Sequence, residues 1–184
     1  MAILRKNGVP ESNIVTSLTC YPRTMTYKND RFKQRLKDIQ QMGFDPSKYL
    51  FIIALHGFAS MNKSTWKQKL EAYQRWGFSE KKILMALRRY PWSMTLYEKK
   101  IMSHMDFFVK KMGWESADIM RNSKILGFSL EKRVIPRCSA VRVLQLKGLV
   151  ERDHSIRTVL IKSDKSLLEK FVTKYEEKRK IGLP

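Results

Sequence analysis

The sequence predicts an all-α protein, an α-solenoid superhelix built from two-helix repeats of about 35 residues. Three features predict it. Glycines recur at a nearly constant spacing, apolar residues keep a constant register relative to those glycines, and helix-ending residues occupy a second fixed offset. A two-helix repeat cannot bury its own apolar face, so successive repeats must stack on one another.

The repeat is anchored by glycines that each precede a hydrophobic residue. These anchors are Gly8, Gly43, Gly77, Gly113 and Gly148. Their spacings are 35, 34, 36 and 35 residues, and the whole chain has only eight glycines. Because glycine readily adopts the left-handed backbone conformation that ends a helix, we expect each anchor at the position just after a second helix.

Apolar residues and helix terminators hold fixed positions around the anchors. Four residues before the anchors stand Leu4, Ile39, Tyr73, Val109 and Leu144. Six and seven residues after the first four anchors stand the pairs Ile14-Val15, Tyr49-Leu50, Ile83-Leu84 and Ile119-Met120. Fourteen residues after the same anchors stand Pro22, Gly57, Pro91 and Gly127. Each repeat is therefore predicted to hold a short first helix, a break and a longer second helix.

In chain order, this pattern predicts helices at 11–20, 28–42, 45–56, 63–76, 79–90, 97–112, 115–123, 136–147 and 166–179. Residues 1–7 look like the end of a preceding second helix, so we expect a fragment of a longer protein. The fifth repeat loses its apolar pair to His154 and Ser155, which predicts a terminal cap over 150–184. Because no low-complexity linker interrupts the array, we expect one domain over 1–184.

The charge balance limits the class of binding partner. The chain carries 37 Lys+Arg against 17 Asp+Glu, a formal net charge of +20. Such a chain attracts polyanions, of which nucleic acid is the commonest, while a membrane surface and an acidic protein are the alternatives. No apolar stretch is long enough to cross a membrane, and two distant cysteines exclude a disulfide scaffold and a zinc finger.

Catalysis is disfavoured by the same sequence. The three histidines belong to different repeats and lie in no metal-ligand pattern, and no phosphate-binding loop or nucleophile elbow is present. We therefore expect no catalytic residue, no metal site and no cofactor.

Three segments resemble the mitochondrial transcription termination factor (mTERF) family. Arg88–Met94, read with the preceding Gly77–Leu84, is similar to the family repeat, and Cys20–Arg23 is a second copy of its proline-centred element. Gly127–Arg137, followed by Leu146–Leu149, resembles the closing repeat of plant members. The resemblance extends from residue 1 to about residue 175.

The resemblance implies further properties. Each repeat would add a short 3₁₀ turn after its proline, near Arg23–Thr26 and Trp92–Thr95, and the array would form a left-handed superhelix with a basic concave groove. Family members act in mitochondria and plastids and bind double-stranded DNA in transcription initiation, pausing or termination. Some instead bind RNA in intron splicing or ribosome assembly. The second and fourth repeats depart from the family pattern at His56-Gly57 and Gly127, which we expect to soften the break without abolishing it.

Basic residues on predicted helices supply the candidate contacts. On a helical wheel of the third repeat, four cations lie opposite the Ile83/Leu87 side, and a polyanion would relieve their mutual repulsion. Further cations flank the stripe of the helix at 28–42 and surround Pro136, while Arg23 follows Pro22. The candidate nucleic-acid-binding residues are Arg23, Arg31, Lys33, Arg35, Lys81, Lys82, Arg88, Arg89, Lys132, Arg133 and Arg137.

The expected function is an organellar nucleic-acid-binding protein. Duplex DNA is favoured, with a role in transcription termination or initiation, in the mitochondrion rather than the chloroplast, and as a monomer away from membranes. Two alternatives remain open: an RNA-binding factor in organellar intron splicing or ribosome assembly, and a protein-interaction scaffold for an acidic partner.

Overall fold

The computed structural model describes residues 2–26, 29–59, 61–150 and 155–173. Within these ranges the chain is helical, with short 3₁₀ and π segments and no β-strand. The predicted all-α, helical-repeat fold is confirmed. No helix in the described part is both long enough and apolar enough to cross a membrane.

Ten α-helices follow one another in the described ranges. They are α1 (Ala2–Lys6), α2 (Glu11–Cys20), α3 (Asn29–Gln41), α4 (Tyr49–Ala59), α5 (Lys63–Gln74), α6 (Glu80–Arg89), α7 (Glu98–Asp106), α8 (Ser116–Arg121), α9 (Ile135–Leu146) and α10 (Asp164–Leu168). The 3₁₀ turns are Pro22–Thr26, Pro91–Thr95 and Ser123–Gly127. The π-helical segments are Phe107–Lys111, Leu130–Val134, Arg157–Ile161 and Glu169–Thr173.

The chain forms two compact units. The N-terminal unit is Met1–Met105 and the C-terminal unit is Asp106–Pro184. The single domain expected over 1–184, and the handedness of a superhelix, stay predictions.

The anchor glycines end helices as the spacing predicts. All five have positive φ angles: 77° at Gly8, 83° at Gly43, 81° at Gly77, 68° at Gly113 and 70° at Gly148. After α3, the Phe44 amide donates to the Ile39 carbonyl at 3.1 Å and the Gly43 amide donates to the Gln40 carbonyl at 2.9 Å. This pair of bonds is the Schellman motif, which satisfies carbonyls that the helix end leaves without partners.

The helix α4 forms the centre of the N-terminal unit. Its residues from Phe51 to Leu55 are buried, and it packs against α3 and against the 3₁₀ turn Pro91–Thr95. A helix buried nearly all round must lie in the core, as its apolar sequence indicates.

Two expectations about α4 were wrong. The helix begins at Tyr49 rather than residue 45, because the Asp45 carboxylate accepts a hydrogen bond from the Ser47 amide at 2.9 Å and holds a turn there. It also runs through Gly57 to Ala59 without the softened break that we expected. A Cβ atom at Gly57 would lie 3.3 Å from Met94 Cβ, so this glycine lets the 3₁₀ turn approach the helix.

A π-helical segment accommodates the longer spacing between the third and fourth anchor glycines. The interval from Gly77 to Gly113 is 36 residues, and the segment Phe107–Lys111 at the end of α7 takes up an extra residue. As a result the Trp114 amide reaches back to the Phe108 carbonyl, one residue further than the equivalent bond at Phe44. In the fourth repeat α8 has only six residues, and a full 3₁₀ turn follows it without a proline.

The terminal cap is helical where it is described. The π segment Arg157–Ile161 was not expected, and α10 with the π segment after it covers the first part of the helix predicted at 166–179. Residues 174–179 and His154 lie outside the described residues.

Candidate nucleic-acid interface

The exposed side of α6 carries four cations. The helix buries Ile83, Ala86 and Leu87 against the N-terminal unit, as the helical wheel predicts. The cations on its exposed side, which we call the α6 basic face, are Lys81, Lys82, Arg88 and Arg89. Among the described residues, no carboxylate forms an ion pair with any of them. Their charges therefore remain available to an anionic ligand.

Arg88 also has a structural contact. A Cβ atom added at Gly43 would lie 2.5 Å from Arg88 Nη1, so the guanidinium covers the C-terminal end of α3. A positive charge is favourable there because the carbonyl end of a helix is negative. Arg88 therefore contributes to packing between repeats as well as to the exposed charge.

A cavity of about 720 Å³ opens in the N-terminal unit. It lies between α4, α5, the start of α7 and the 3₁₀ turns Pro22–Thr26 and Pro91–Thr95, and we call it the N-terminal cavity. Its lining residues are Arg23, Thr24, His56, Met61, Thr65, Gln68, Lys69, Met94, Thr95, Tyr97, Glu98 and Lys99. Of the predicted contact residues only Arg23 lines it, so the structure does not bring the candidates together in a single site.

Lys69 is a buried cation that the sequence reasoning missed. Its Nζ donates to the Met94 carbonyl at 2.6 Å and to the Leu96 carbonyl. Burial lowers the pKa of this ammonium to about 8. Lys69 and Arg35 each stand eight residues before an anchor glycine, and Arg35 Nη2 likewise donates to a main-chain oxygen, the Met61 carbonyl, at 2.9 Å. The repeat register was the signal that could have revealed Lys69.

Three rings join the two 3₁₀ turns of the N-terminal unit to α4. Tyr21 stacks on His56 with ring centroids 4.5 Å apart, and Trp92 meets both rings edge-on at 5.9 and 6.1 Å. Thr24 Oγ1 lies 3.1 Å from His56 Nδ1, and burial lowers the pKa of His56 while it raises the pKa of Tyr21 to about 12. A neutral histidine and a neutral tyrosine in this cluster support packing.

Arg35 was expected to contact nucleic acid, and its position does not support that role. Its side chain is only 14% exposed, lies 3.2 Å from the Asp38 carboxylate and stacks over the Phe58 ring at 5.0 Å. With the bond to the Met61 carbonyl, the guanidinium is occupied inside the protein. On the same helix, Arg31 and Lys33 are exposed, and Lys33 pairs with Asp30 at 3.8 Å.

Arg137 and Arg133 hold the terminal cap, and their positions do not support the expected role in nucleic-acid binding. Arg137 is 5% exposed, pairs with Asp164, and donates to three carbonyls of the 157–162 segment at 2.7 to 3.3 Å. Arg133 donates to the Leu160 and Lys162 carbonyls and lies over the Phe128 ring at 4.5 Å. Both guanidiniums thus satisfy carbonyls at the end of a helix. The neighbouring Lys132 is exposed.

Most of the chain matches a single protein-family model. The mTERF family model matches residues 1–168. The chain belongs to the mTERF family. No curated protein and no solved structure matches the chain significantly. mTERF proteins are in general organellar nucleic-acid-binding proteins that regulate transcription and are not enzymes. In the described part of this mTERF chain, no cluster of three or more His, Cys, Asp and Glu residues is placed to hold a metal ion.

We predict that Lys69 makes stability rise with pH between about pH 8 and pH 10.5. In this window the folded chain has lost a proton that the unfolded chain, with an ordinary lysine pKa of 10.5, still binds. The contribution of Lys69 to the free energy of unfolding should therefore rise by up to about 1.4 kcal/mol per pH unit. Burial raises the pKa of Cys138 and of Tyr21, which acts in the opposite direction at the upper end of the window. The Lys69 contribution is therefore measured as the difference between urea unfolding of the unsubstituted protein and of Lys69→Met at each pH. A difference that does not change with pH would contradict the assignment.

Proposed function

We propose that the chain binds duplex DNA through the α6 basic face and thereby regulates transcription of organelle genes, at termination or initiation. The supporting observation is the set of four exposed cations, none in an ion pair among the described residues. Cations of this kind gain most from phosphates, because each contact releases a condensed counterion from the nucleic acid. The formal net charge of +20 acts in the same direction over a longer range.

The spacing along α6 suits a phosphate backbone. Lys81 and Lys82 form one pair and Arg88 and Arg89 a second, seven residues further along the helix. A helix rises about 1.5 Å per residue, so the pairs are separated by about 10 Å along its axis. This distance is larger than one phosphate group, so the two pairs can contact different phosphates of the duplex at the same time.

We predict that Lys81→Gln with Lys82→Gln weakens duplex binding at all sequences and makes its salt dependence shallower. Each lost phosphate contact should reduce the slope of log K against log salt by about 0.9, so the double variant should lose roughly 2. Fluorescence anisotropy with labelled duplexes over a salt series measures the slope. Arg88 is left intact because it also covers Gly43.

The matched control is Lys67→Gln with Lys165→Gln. It removes the same two charges, but Lys67 pairs with Glu71 at 3.8 Å and Lys165 with Glu169 at 4.0 Å. Its salt slope should stay near that of the unsubstituted protein. Equal losses in the two double variants would mean that net charge, and not the α6 basic face, sets the affinity.

Competition separates duplex DNA from the other ligands. Structured intron RNA that displaces duplex DNA at equal concentration would favour the splicing or ribosome-assembly role, and absence of binding to both at low salt would favour an acidic protein partner.

We propose a mitochondrial location over the chloroplast, tested by a fluorescent fusion of the full parent protein. We also propose a monomer, tested by sedimentation.

A further inference from the structure

The N-terminal cavity concentrates positive charge at a place distinct from the α6 basic face. Arg23 on the first 3₁₀ turn and Lys99 on α7 are exposed at its lining, and Lys69 on α5 lies inside it with 6% exposure. The Glu98 carboxylate also lines the cavity, but it pairs with Arg75 at 3.3 Å. In the described part of the chain, no carboxylate forms an ion pair with the three cations. The cavity therefore holds excess positive charge.

Lys69 is the decisive member because its charge is buried. An ammonium group has three N–H donors, and two of them serve the Met94 and Leu96 carbonyls. The third donor has no protein acceptor among the described residues. Burying a charge is costly unless an opposite charge offsets it, and a bound anion would supply that charge.

Neutral donors complete the lining. The side chains of Thr65 and Gln68 face the cavity from the first turns of α5, where the helix dipole is positive. The N-cap of this helix is Asn62, whose side chain accepts the Thr65 amide at 2.7 Å. Hydroxyl and amide donors beside one guanidinium and two ammonium groups are the donor types that bind phosphate oxygens.

We propose that the N-terminal cavity is a phosphate-binding site in which Lys69 is the buried ligand and Arg23 and Lys99 are the exposed ligands. The phosphate group belongs either to bound nucleic acid or to a free phosphate compound, and the volume of about 720 Å³ falls in the range of small-ligand pockets. The site is separate from the α6 basic face and does not require duplex binding there.

Thermal unfolding at pH 7 tests the site, with inorganic phosphate compared with chloride at equal ionic strength. At this pH Lys69 is protonated. Phosphate at ten times its dissociation constant should raise the Tm of the unsubstituted protein by roughly 2–5 °C more than chloride. Arg23→Gln with Lys99→Gln should abolish this rise. Both side chains are exposed, so the variant should fold normally.

Two further variants sharpen the result. Lys67→Gln with Lys165→Gln, which removes two charges outside the cavity, should keep the full phosphate effect. Lys69→Met should lose it while keeping a side chain of similar length, and the Arg23/Lys99 variant remains decisive where Lys69→Met does not fold. No phosphate effect in the unsubstituted protein would overturn the proposal. An equal effect in the Arg23/Lys99 variant would overturn it as well.

A displacement experiment with labelled duplex DNA identifies the source of the phosphate. If inorganic phosphate displaces labelled duplex from the unsubstituted protein but not from the Arg23/Lys99 variant, the site holds a backbone phosphate. If duplex and phosphate bind together, the ligand is a free phosphate compound. The salt slope of the Lys81/Lys82 variant judges duplex binding by itself, so failure of the cavity proposal is distinguishable from failure of the proposed function.

Discussion

Arg137→Ala is expected to lower the free energy of unfolding of the C-terminal unit by about 3 kcal/mol. Its guanidinium donates to the Val159, Leu160 and Lys162 carbonyls and pairs with Asp164. Hydrogen bonds from a charged donor contribute about 1.5–3 kcal/mol each, and buried carbonyls that lose their donor carry a further desolvation cost.

The exposure of Asp164 sets the upper limit of that effect. Breaking a fully buried ion pair costs about 3–5 kcal/mol, because a charge is left buried without a partner. Here the Asp164 side chain is 82% exposed, so water can solvate it after the substitution. The loss therefore comes mainly from the carbonyls at the end of the Arg157–Ile161 segment. Arg133 donates to two of the same carbonyls and should continue to do so in the variant, which reduces the loss of stability.

Denaturant unfolding followed by far-ultraviolet circular dichroism measures the change. Arg142→Ala is the matched control, since Arg142 is exposed on the same helix and makes one long bond, 3.5 Å, to the Lys111 carbonyl. It should change stability by less than about 0.5 kcal/mol. Arg137→Lys should recover only part of the loss, because an ammonium lacks the fork geometry of a guanidinium. Equal effects of Arg137→Ala and Arg142→Ala would show that Arg137 does not hold the cap.

The role of Arg137 could not be predicted from the sequence, and the reason is physical. Arg137 and Lys132 both belong to one basic stretch, so composition treats them alike. Arg137 differs from Lys132 because the segment at 155–164 packs against Arg137. No local feature of the sequence predicts the π-helical segment Arg157–Ile161. Lys69 is a different case, because its repeat register with Arg35 is visible in the sequence once the anchors are known.

The helix bounds show the same division between local and tertiary causes. The bounds of α2 agree with prediction, since Pro10 and Pro22 flank the helix and restrict the backbone locally. In contrast, α4 continues through Gly57 because the 3₁₀ turn of the next repeat packs onto that residue. A glycine in a sequence signals freedom of the backbone, but only the fold shows whether that freedom serves a break or a close approach.

Gly77→Val is expected to lower the free energy of unfolding by about 2–3 kcal/mol. Gly77 has a φ of +81°, a conformation that costs an ordinary L-residue about 1–2 kcal/mol and a β-branched residue more. A Cβ atom at Gly77 would meet nothing within 4 Å. Because no neighbour must move, the cost is one of backbone strain alone, and denaturant unfolding measures it directly.

A series at Gly77 separates strain from packing. Asparagine tolerates the left-handed region, so Gly77→Asn should cost least, followed by alanine and then valine. Gly43→Ala adds a steric term, since its Cβ would lie 2.5 Å from Arg88 Nη1 and must displace that side chain. The displaced guanidinium is flexible, so Gly43→Ala should exceed Gly77→Ala only slightly. If valine at position 77 left stability unchanged, α5 could not end in a left-handed residue, and the anchor glycines would need another explanation for their period.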